Sequence, residues 1–259
     1  SYTERNADVF LSYNTEINED FTFDISLGGA QMKRNSQTNI VTAGQLQLPG
    51  LFDLNNLRAG SNYTITDYTA EQRINSFIGY GKIGYKNLVF LEFSGRNDWA
   101  SILPVDNNSF FYPSVTGSAV ISDIIGSDDF FLKVRGGWSK VGGIGSLNPY
   151  ELAPVYGLSS EPFGSTTVAF LPGTLNNPNI KSESTQGYEV GADVRLFDSK
   201  LRFTATYYDQ TSTDLVVPVQ VSAASGYTNA ISNVGELNNK GIELQLNSTV
   251  FRNDDWKLD

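Results

Sequence analysis

Apolar and polar residues alternate along much of this chain. In the stretch LRFTATYY, which starts at Leu201, every second side chain is apolar or aromatic, and most of the others are polar. Because successive side chains of a β-strand point to opposite faces, this period of two predicts strands with one apolar and one polar face. Similar stretches predict about nine strands, near residues 6–17, 21–34, 72–85, 88–100, 110–122, 130–141, 185–197, 201–215 and 236–251.

The predicted strands are long, and the connections between them alternate in length. Many strands exceed ten residues, whereas strands of globular proteins average about five or six and a tilted membrane crossing needs about 9–11. Short turns with long loops at the opposite end are typical of outer-membrane barrels. Short connections are expected near residues 18–20, 86–87, 123–129, 198–200 and 252–255, and longer ones over 35–71, 101–109, 142–184 and 216–235.

These patterns predict an all-β fold, an antiparallel transmembrane β-barrel, with residues 1–259 forming part of one barrel domain. No apolar run approaches the roughly 18–20 residues of a membrane helix, but barrel strands leave only a weak hydropathy signal. The chain starts at Ser1 without a signal peptide, and another strand begins at Trp256, so we expect further strands outside these residues. The predicted inward face is polar and carries Lys133, Arg135, Glu189, Asp193, Arg195, Arg202 and Glu243.

Composition excludes several classes of function. The 259 residues contain no Cys and no His, which removes disulfides, thiolate sites and the commonest general base and metal ligand. The net charge of −10 argues against a nucleic-acid partner, which needs clustered Lys and Arg. Asp106-Asn107-Asn108 and Asn253-Asp254-Asp255 offer oxygen ligands for Ca²⁺, but Asx residues also form turns, so we predict no metal site and no cofactor.

Five stretches resemble the strand blocks of one membrane-protein family, the SusC/RagA-type TonB-linked outer-membrane transporters, in the family's order. They are FSGRNDWAS from Phe93, FFYPSVTGSAVIS from Phe110, LKVRGGWSKVG from Leu132, GYEVGADVRLFDSKLRFTATYYD from Gly187 and NVGELNNKGIEL from Asn233. The resemblance implies a barrel of about 22 strands in the outer membrane, closed by a plug domain. It also implies a SusD-type lipoprotein lid, energy supplied through TonB, and import of oligosaccharides or peptides, without enzymatic activity.

Candidate solute-binding residues lie near the predicted loops. Arg96, Asp98 and Trp99 are expected at the loop end of their strand, where Trp99 could stack on a sugar ring. Aromatic residues inside the long loops are further candidates, because binding residues concentrate in loops. They are Tyr150, Tyr156, Phe163, Phe170 and Tyr227.

Three other functions share parts of this pattern. A passive porin or adhesin-like barrel has the same strands, and an upstream plug with a TonB box would distinguish the importer from it. A soluble glycan-binding β-sandwich would have strands of ordinary length and no alternation of loop length. A barrel hydrolase would need a His from outside these residues for a Ser-His arrangement.

Overall fold

The computed structural model describes residues 1–60, 63–127, 129–153, 155–159, 163–249, 251–252 and 257–258. Nine long strands form one antiparallel sheet. The described residues also contain one short α-helix, α1 (Ile121–Ile124), and three single-turn 3-10 helices. The strands are β1 (Tyr2–Glu16), β2 (Phe21–Ala43), β3 (Tyr63–Tyr85), β4 (Val89–Ala100), β5 (Ser109–Val120), β6 (Phe130–Gly143), β7 (Gly157–Leu158), β8 (Ala169–Phe170), β9 (Thr174–Leu175), β10 (Glu183–Leu196), β11 (Leu201–Thr213), β12 (Val216–Gln220), β13 (Asn229–Asn233), β14 (Glu236–Ser248), β15 (Phe251–Arg252) and β16 (Lys257–Leu258).

The predicted nine strands are confirmed, and each pairs with its sequence neighbour among the long strands. The order across the sheet is β1-β2-β3-β4-β5-β6-β10-β11-β14. In such a meander, alternate connections lie at opposite ends of the sheet. The connections over 17–20, 86–88, 121–129 and 197–200 therefore share one end, the short-turn end. Those over 44–62, 101–108, 144–182 and 214–235 share the other, the long-loop end, as predicted.

The loop predicted over residues 35–71 is about half as long in the structure. β2 and β3 continue as a hairpin up to the pair Ala43 and Tyr63, so only 44–62 connects them. Residues 35–39 and 67–71 are mostly polar on both faces, and apolar side chains recur on the outward-pointing side only near the tip, at Val41, Ala43, Tyr63 and Ile65. A strand segment with polar side chains on both faces shows no alternation of apolar and polar residues. The sequence pattern therefore did not predict this extension as strand.

The predicted end of the fifth strand is wrong by two residues, and the predicted turn at 252–255 lies largely outside the described residues. The strand predicted to end at Ser122 stops at Val120, where α1 begins and Ser127 N donates to Ser122 O. The turn predicted at 252–255 and the Asn253-Asp254-Asp255 cluster lie largely outside the described residues. In the described part of the chain, no helix is long and apolar enough to span a membrane.

The register places apolar side chains on one face of the whole sheet, here called the outer face. One row of hydrogen-bonded neighbours crosses all nine long strands, and the side chains of this row point the same way. Its larger members stay solvent-accessible in this chain, with 62% exposure at Val190 and 70% at Ile242. The row consists of Thr15, Phe23, Ile83, Leu91, Gly117, Gly136, Val190, Tyr207 and Ile242.

The opposite, inner face is polar at the same level. The adjacent row contains Asn14, Asp24, Lys82, Glu92, Thr116, Gly137, Glu189, Tyr208 and Gly241. A sheet with a continuous exposed apolar face and a polar opposite face suits lipid on one side and water on the other.

The apolar band crosses the hydrogen-bonded rows obliquely. The outer-face row that starts at Tyr13 and Ile25 ends at Asp209 and Lys240 on β11 and β14. If the apolar residues of the outer face form a band of constant height, that band can run oblique to the rows of paired residues only when the strands are tilted relative to the band. Closed barrels require this tilt.

Several aromatic residues lie near strand ends, where transmembrane barrels carry girdles of aromatic rings, and strand alternation divides them between the two faces. Phe111 points outward and is 59% exposed, whereas its neighbours Phe110 and Tyr112 point inward. Similarly, Tyr207 lies on the outer face and Tyr208 on the inner face. Adjacent aromatic residues therefore contribute one ring to a girdle and one to the interior, because successive side chains alternate.

Candidate functional site

Arg135 connects three strands on the inner face. Its Nη1 donates to Oδ2 of Asp193 on β10 at 2.8 Å, and its Nη2 donates to Oγ1 of Thr206 on β11 at 2.7 Å. Thr204 donates to the other Asp193 oxygen at 2.9 Å. Glu189 lies 3.7 Å from the Arg135 Nε. Three of the predicted inward charges of β6 and β10, Arg135, Glu189 and Asp193, thus form one network.

Gly191 makes the reach of Arg135 possible. A Cβ atom on Gly191 would lie 2.9 Å from Cζ of Arg135 and 3.2 Å from the Ala205 oxygen. The guanidinium therefore crosses β10 directly over the glycine backbone. Sequence inspection gave the charges but not this role, because it depends on which residue lies opposite.

A hollow of about 350 Å³ opens on the inner face beside this network. Gly137 and Gly187 lie in it and lack side chains, and Phe90 and Tyr208 also line it, together with Glu92, Glu189 and Arg135. The hollow offers an interior segment or a solute both aromatic surface and charge.

A second inner-face network contains two predicted site residues, Arg96 and Asp98. The Arg96 Nε donates to Oδ1 of Asp98 at 2.7 Å, and its Nη2 donates to the Ser76 hydroxyl at 2.9 Å. Tyr112 donates to Oδ2 of Asp98 at 2.6 Å. Asp98 is only 6% exposed, and both of its carboxylate oxygens accept hydrogen bonds from protein donors. The network therefore links β3, β4 and β5.

Trp99 lies on the opposite face from Arg96 and Asp98. It pairs with Asn75 and Ser109 on the outer face and is 43% exposed. The structure therefore does not bring together the three residues that the sequence grouped. An indole at the end of the apolar band suits a membrane interface.

The long loops pack onto the inner face through a buried cluster, here called the loop core: Ala100, Ile102, Leu103, Leu147, Ile180, Val216 and Ile231. The inward-facing Ile74 and Phe110 pack against it from β3 and β5. Ile180 and Ala100 are completely buried. Three loops that are distant in sequence thus form one packed layer above the sheet interior.

Polar contacts reinforce the loop core. Asn233 donates to the Lys181 and Asp214 carbonyl oxygens at 2.9 and 2.8 Å, and its own Oδ1 accepts from Lys181 N. The Lys181 Nζ lies 3.0 Å from Oδ1 of Asp214. Oε1 of Glu183 accepts from Val216 N at 2.7 Å. The sequence gives no signal for these contacts, because no local pattern links residue 181 to residues 214 and 233.

The five predicted loop aromatics separate into one pair and three residues outside it. Of these three, Phe170 lies on β8 opposite Gly157 of β7. Tyr156 and Tyr227, from different loops, line a shared hollow of about 140 Å³. Phe163 is 83% exposed on a small turn closed by Thr166. Tyr150 is 62% exposed, with a left-handed backbone φ of 67°. Among the described residues, no cluster of His, Cys, Asp or Glu could hold a metal ion.

Comparison with known proteins agrees with this architecture. The family model for the TonB-dependent receptor-like β-barrel matches residues 1–259. TonB-dependent receptor P26 of Formosa agariphila is 29% identical over 97% of this chain, and SusC of Bacteroides thetaiotaomicron is 24% identical over 75% of it. The chain spans 26% and 21% of the lengths of these two relatives.

Solved structures share the fold. The RagAB peptide transporter superposes with a TM-score of 0.88 at 20% identity over 99% of this chain and 29% of that one. A ferric enterobactin receptor of Pseudomonas aeruginosa superposes with a TM-score of 0.56 at 18% identity, over 94% of this chain and 33% of its own. The match over the full length of the chain shows that it belongs to the TonB-dependent receptor-like β-barrel family.

Proposed function

We propose that residues 1–259 form about nine strands of one multi-pass transmembrane barrel, in a TonB-dependent importer of the outer membrane. The observation that carries the proposal is the pair of unlike faces, apolar outside and polar inside, across all nine long strands. The long-loop end would face outward from the cell and the short-turn end the periplasm. The family implies an outer-membrane location, and its named members are receptors and transporters.

The polar inner face would contact the solute and a plug domain. Because the chain spans about a quarter of the length of its relatives, the plug and the TonB-binding segment belong to the proposal. The barrel residues would catalyse nothing. Energy delivered through TonB would move the plug, and differential binding to the open and closed states would gate the solute.

A SusD-type lipoprotein lid is proposed at the long-loop end. The tip of the β2–β3 hairpin presents apolar side chains outward, with Phe52 90% exposed and Leu48, Leu51 and Leu54 each more than half exposed. Asn56 fixes this tip, donating to the Leu48 and Leu51 carbonyl oxygens at 2.8 Å. An ordered apolar patch of this kind is typical of a protein contact.

The decisive experiment is solute uptake by cells that express the full-length protein, with and without functional TonB. We expect uptake of oligosaccharides or peptides that depends on TonB, and co-purification of a lipoprotein in detergent. Equal uptake in both strains would instead indicate a passive porin. A protein that stays soluble without detergent would contradict the barrel itself.

A further inference from the structure

The hollow between Tyr156 and Tyr227 is connected to the loop core through strands β9 and β13. Its walls come from the 144–182 loop, which supplies Val155, Leu171, Leu175 and Asn176, and from the 214–235 loop, which supplies Tyr227. β13 carries Ile231 of the loop core and also pairs with β9, which contains Leu175. The hollow is thus part of the same packed layer.

Hydrogen bonds between the two loops hold the hollow in shape. Thr228 N donates to the Gly173 oxygen at 2.7 Å, and the Thr228 hydroxyl donates to the same oxygen at 2.9 Å. β9 and β13 pair in parallel through Thr174 and Asn229. Asn176 donates its amide hydrogen to the Ala153 oxygen at 2.8 Å. A site fixed before binding loses less entropy when a ligand enters.

The surroundings of the hollow carry little charge. The two loops contain only four charged residues: Glu151, Glu161, Lys181 and Asp214. Lys181 and Asp214 pair with each other at 3.0 Å. Glu151 accepts a hydrogen bond from Asn148 N at 2.7 Å. All the described lining residues of the hollow are uncharged. A charged ligand group would therefore lose its hydration here without gaining a counter-ion.

The lining favours an apolar group over a sugar ring. A buried sugar needs several hydrogen-bond partners for its hydroxyls. Four of the eight lining residues, Val155, Leu171, Pro172 and Leu175, supply aliphatic surface. The hydroxyl groups in the lining are those of Thr174, Tyr156 and Tyr227, and the side-chain amide of Asn176 already donates to the Ala153 oxygen. A volume of about 140 Å³ suits one side chain rather than an entire oligomer. We propose that this hollow is a subsite for one apolar side chain of an uncharged peptide segment, a proposal that rests on the importer function above.

The test measures binding by the full-length protein in detergent with three probes. These are a short Ser/Gly peptide with one central Leu, the same peptide with Ser at the centre, and a neutral glucose oligomer. Leu171→Ser and Tyr156→Ala alter the hollow at residues that are 44% and 71% exposed, so folding should tolerate both. Leu158→Ser, 70% exposed on β7 and outside the lining, is the matched control.

We expect the Leu peptide to bind about tenfold more tightly than the Ser peptide, the factor that one buried apolar side chain produces. Leu171→Ser and Tyr156→Ala should remove that difference, and Leu158→Ser should retain it. Preference for the glucose oligomer, or unchanged peptide selectivity in both hollow variants, would overturn the subsite. TonB-dependent uptake measured in parallel separates the two proposals. If the unmodified protein shows no TonB-dependent uptake, the importer function is contradicted. If uptake depends on TonB but the Leu peptide is not preferred, only the subsite is contradicted.

Discussion

The guanidinium of Arg135 on β6 and the carboxylate of Asp193 on β10 meet at 2.8 Å on the inner face, and Arg135 continues to Thr206 on β11. One side chain thus links three strands across Gly191. Because the carboxylate also accepts from Thr204, both Asp193 oxygens have donors. This network shapes the part of the inner face next to the larger hollow.

Removing the Arg135 guanidinium should destabilise the barrel. We expect Arg135→Met in the full-length protein to lower the free energy of unfolding by about 1–3 kcal/mol, the range for hydrogen bonds between charged groups. Denaturant unfolding, followed by heat-modifiable gel mobility, measures the loss. Lys133→Met is the control, because Lys133 shares the strand and face but forms no ion pair with any described residue. Equal losses in both variants would contradict the assigned role.

Gly191→Ala should act through Arg135. The added Cβ would lie 2.9 Å from the guanidinium carbon and displace it from Asp193. We therefore expect the effects of Gly191→Ala and Arg135→Met to be strongly non-additive in a double-mutant cycle. Gly81→Ala is the comparison, since its Cβ would meet nothing closer than 4.0 Å. Additive effects at 191 and 135 would mean that the glycine serves the backbone alone.

A charge on the outer face should block membrane assembly, whereas the same charge one residue later should not. Leu244 is 68% exposed on the outer face, and its chain neighbour Gln245 points inward. Leu244→Arg is expected to cost about 2–4 kcal/mol near the bilayer midplane, and Gln245→Arg much less. The yield of folded protein in outer membranes checks this. The reverse order of yields would invert the assignment of the two faces.

Trp99 should contact lipid rather than solute. Its outer-face position predicts that brominated lipids quench its fluorescence, and that Trp99→Phe removes part of the quenchable signal from the full-length protein. Solute affinity should not change in Trp99→Phe. Weaker solute binding with unchanged quenching would return Trp99 to the solute site predicted from the sequence.

The pairing of the first residues of β1 with β2 should depend on pH through Glu4, which lies opposite Arg34 and beyond the apolar part of the outer face. Hydrogen bonds from Asn6, Tyr2 and Arg34 lower the pKa of the Glu4 carboxyl to about 2. A lowered pKa stabilises pairing above the ordinary carboxylate pKa, and the contribution disappears as pH falls through about 2.

Hydrogen exchange in this hairpin should therefore be faster in Glu4→Gln than in the parent at neutral pH, with the difference vanishing near pH 2. Comparing both proteins at each pH removes the intrinsic pH dependence of exchange. Asp8→Asn on the same strand and face is the control, and a difference of equal size there would contradict the role of Glu4.

The sequence by itself determined the strands, their two faces and the alternation of short and long connections. These follow from a period of two, which is local: Leu244 and Gln245 are adjacent in sequence and therefore lie on opposite faces of the sheet. The same locality explains the failures. Most of the β2–β3 extension has polar residues on both faces and therefore shows no alternation. Trp99 and Asp98 were grouped because they are adjacent in sequence, but adjacent residues of a strand lie on opposite faces.

Only the tertiary structure decided which residues meet. Arg135 finds Asp193 and Thr206 through the register of three strands, and Tyr156 meets Tyr227 because the loop core brings two loops together above the inner face. Such contacts join residues that are tens of positions apart. Their formation depends on cross-strand pairing and on burial of side chains such as Ile180 and Ile231, and neither is encoded in any local window of the chain.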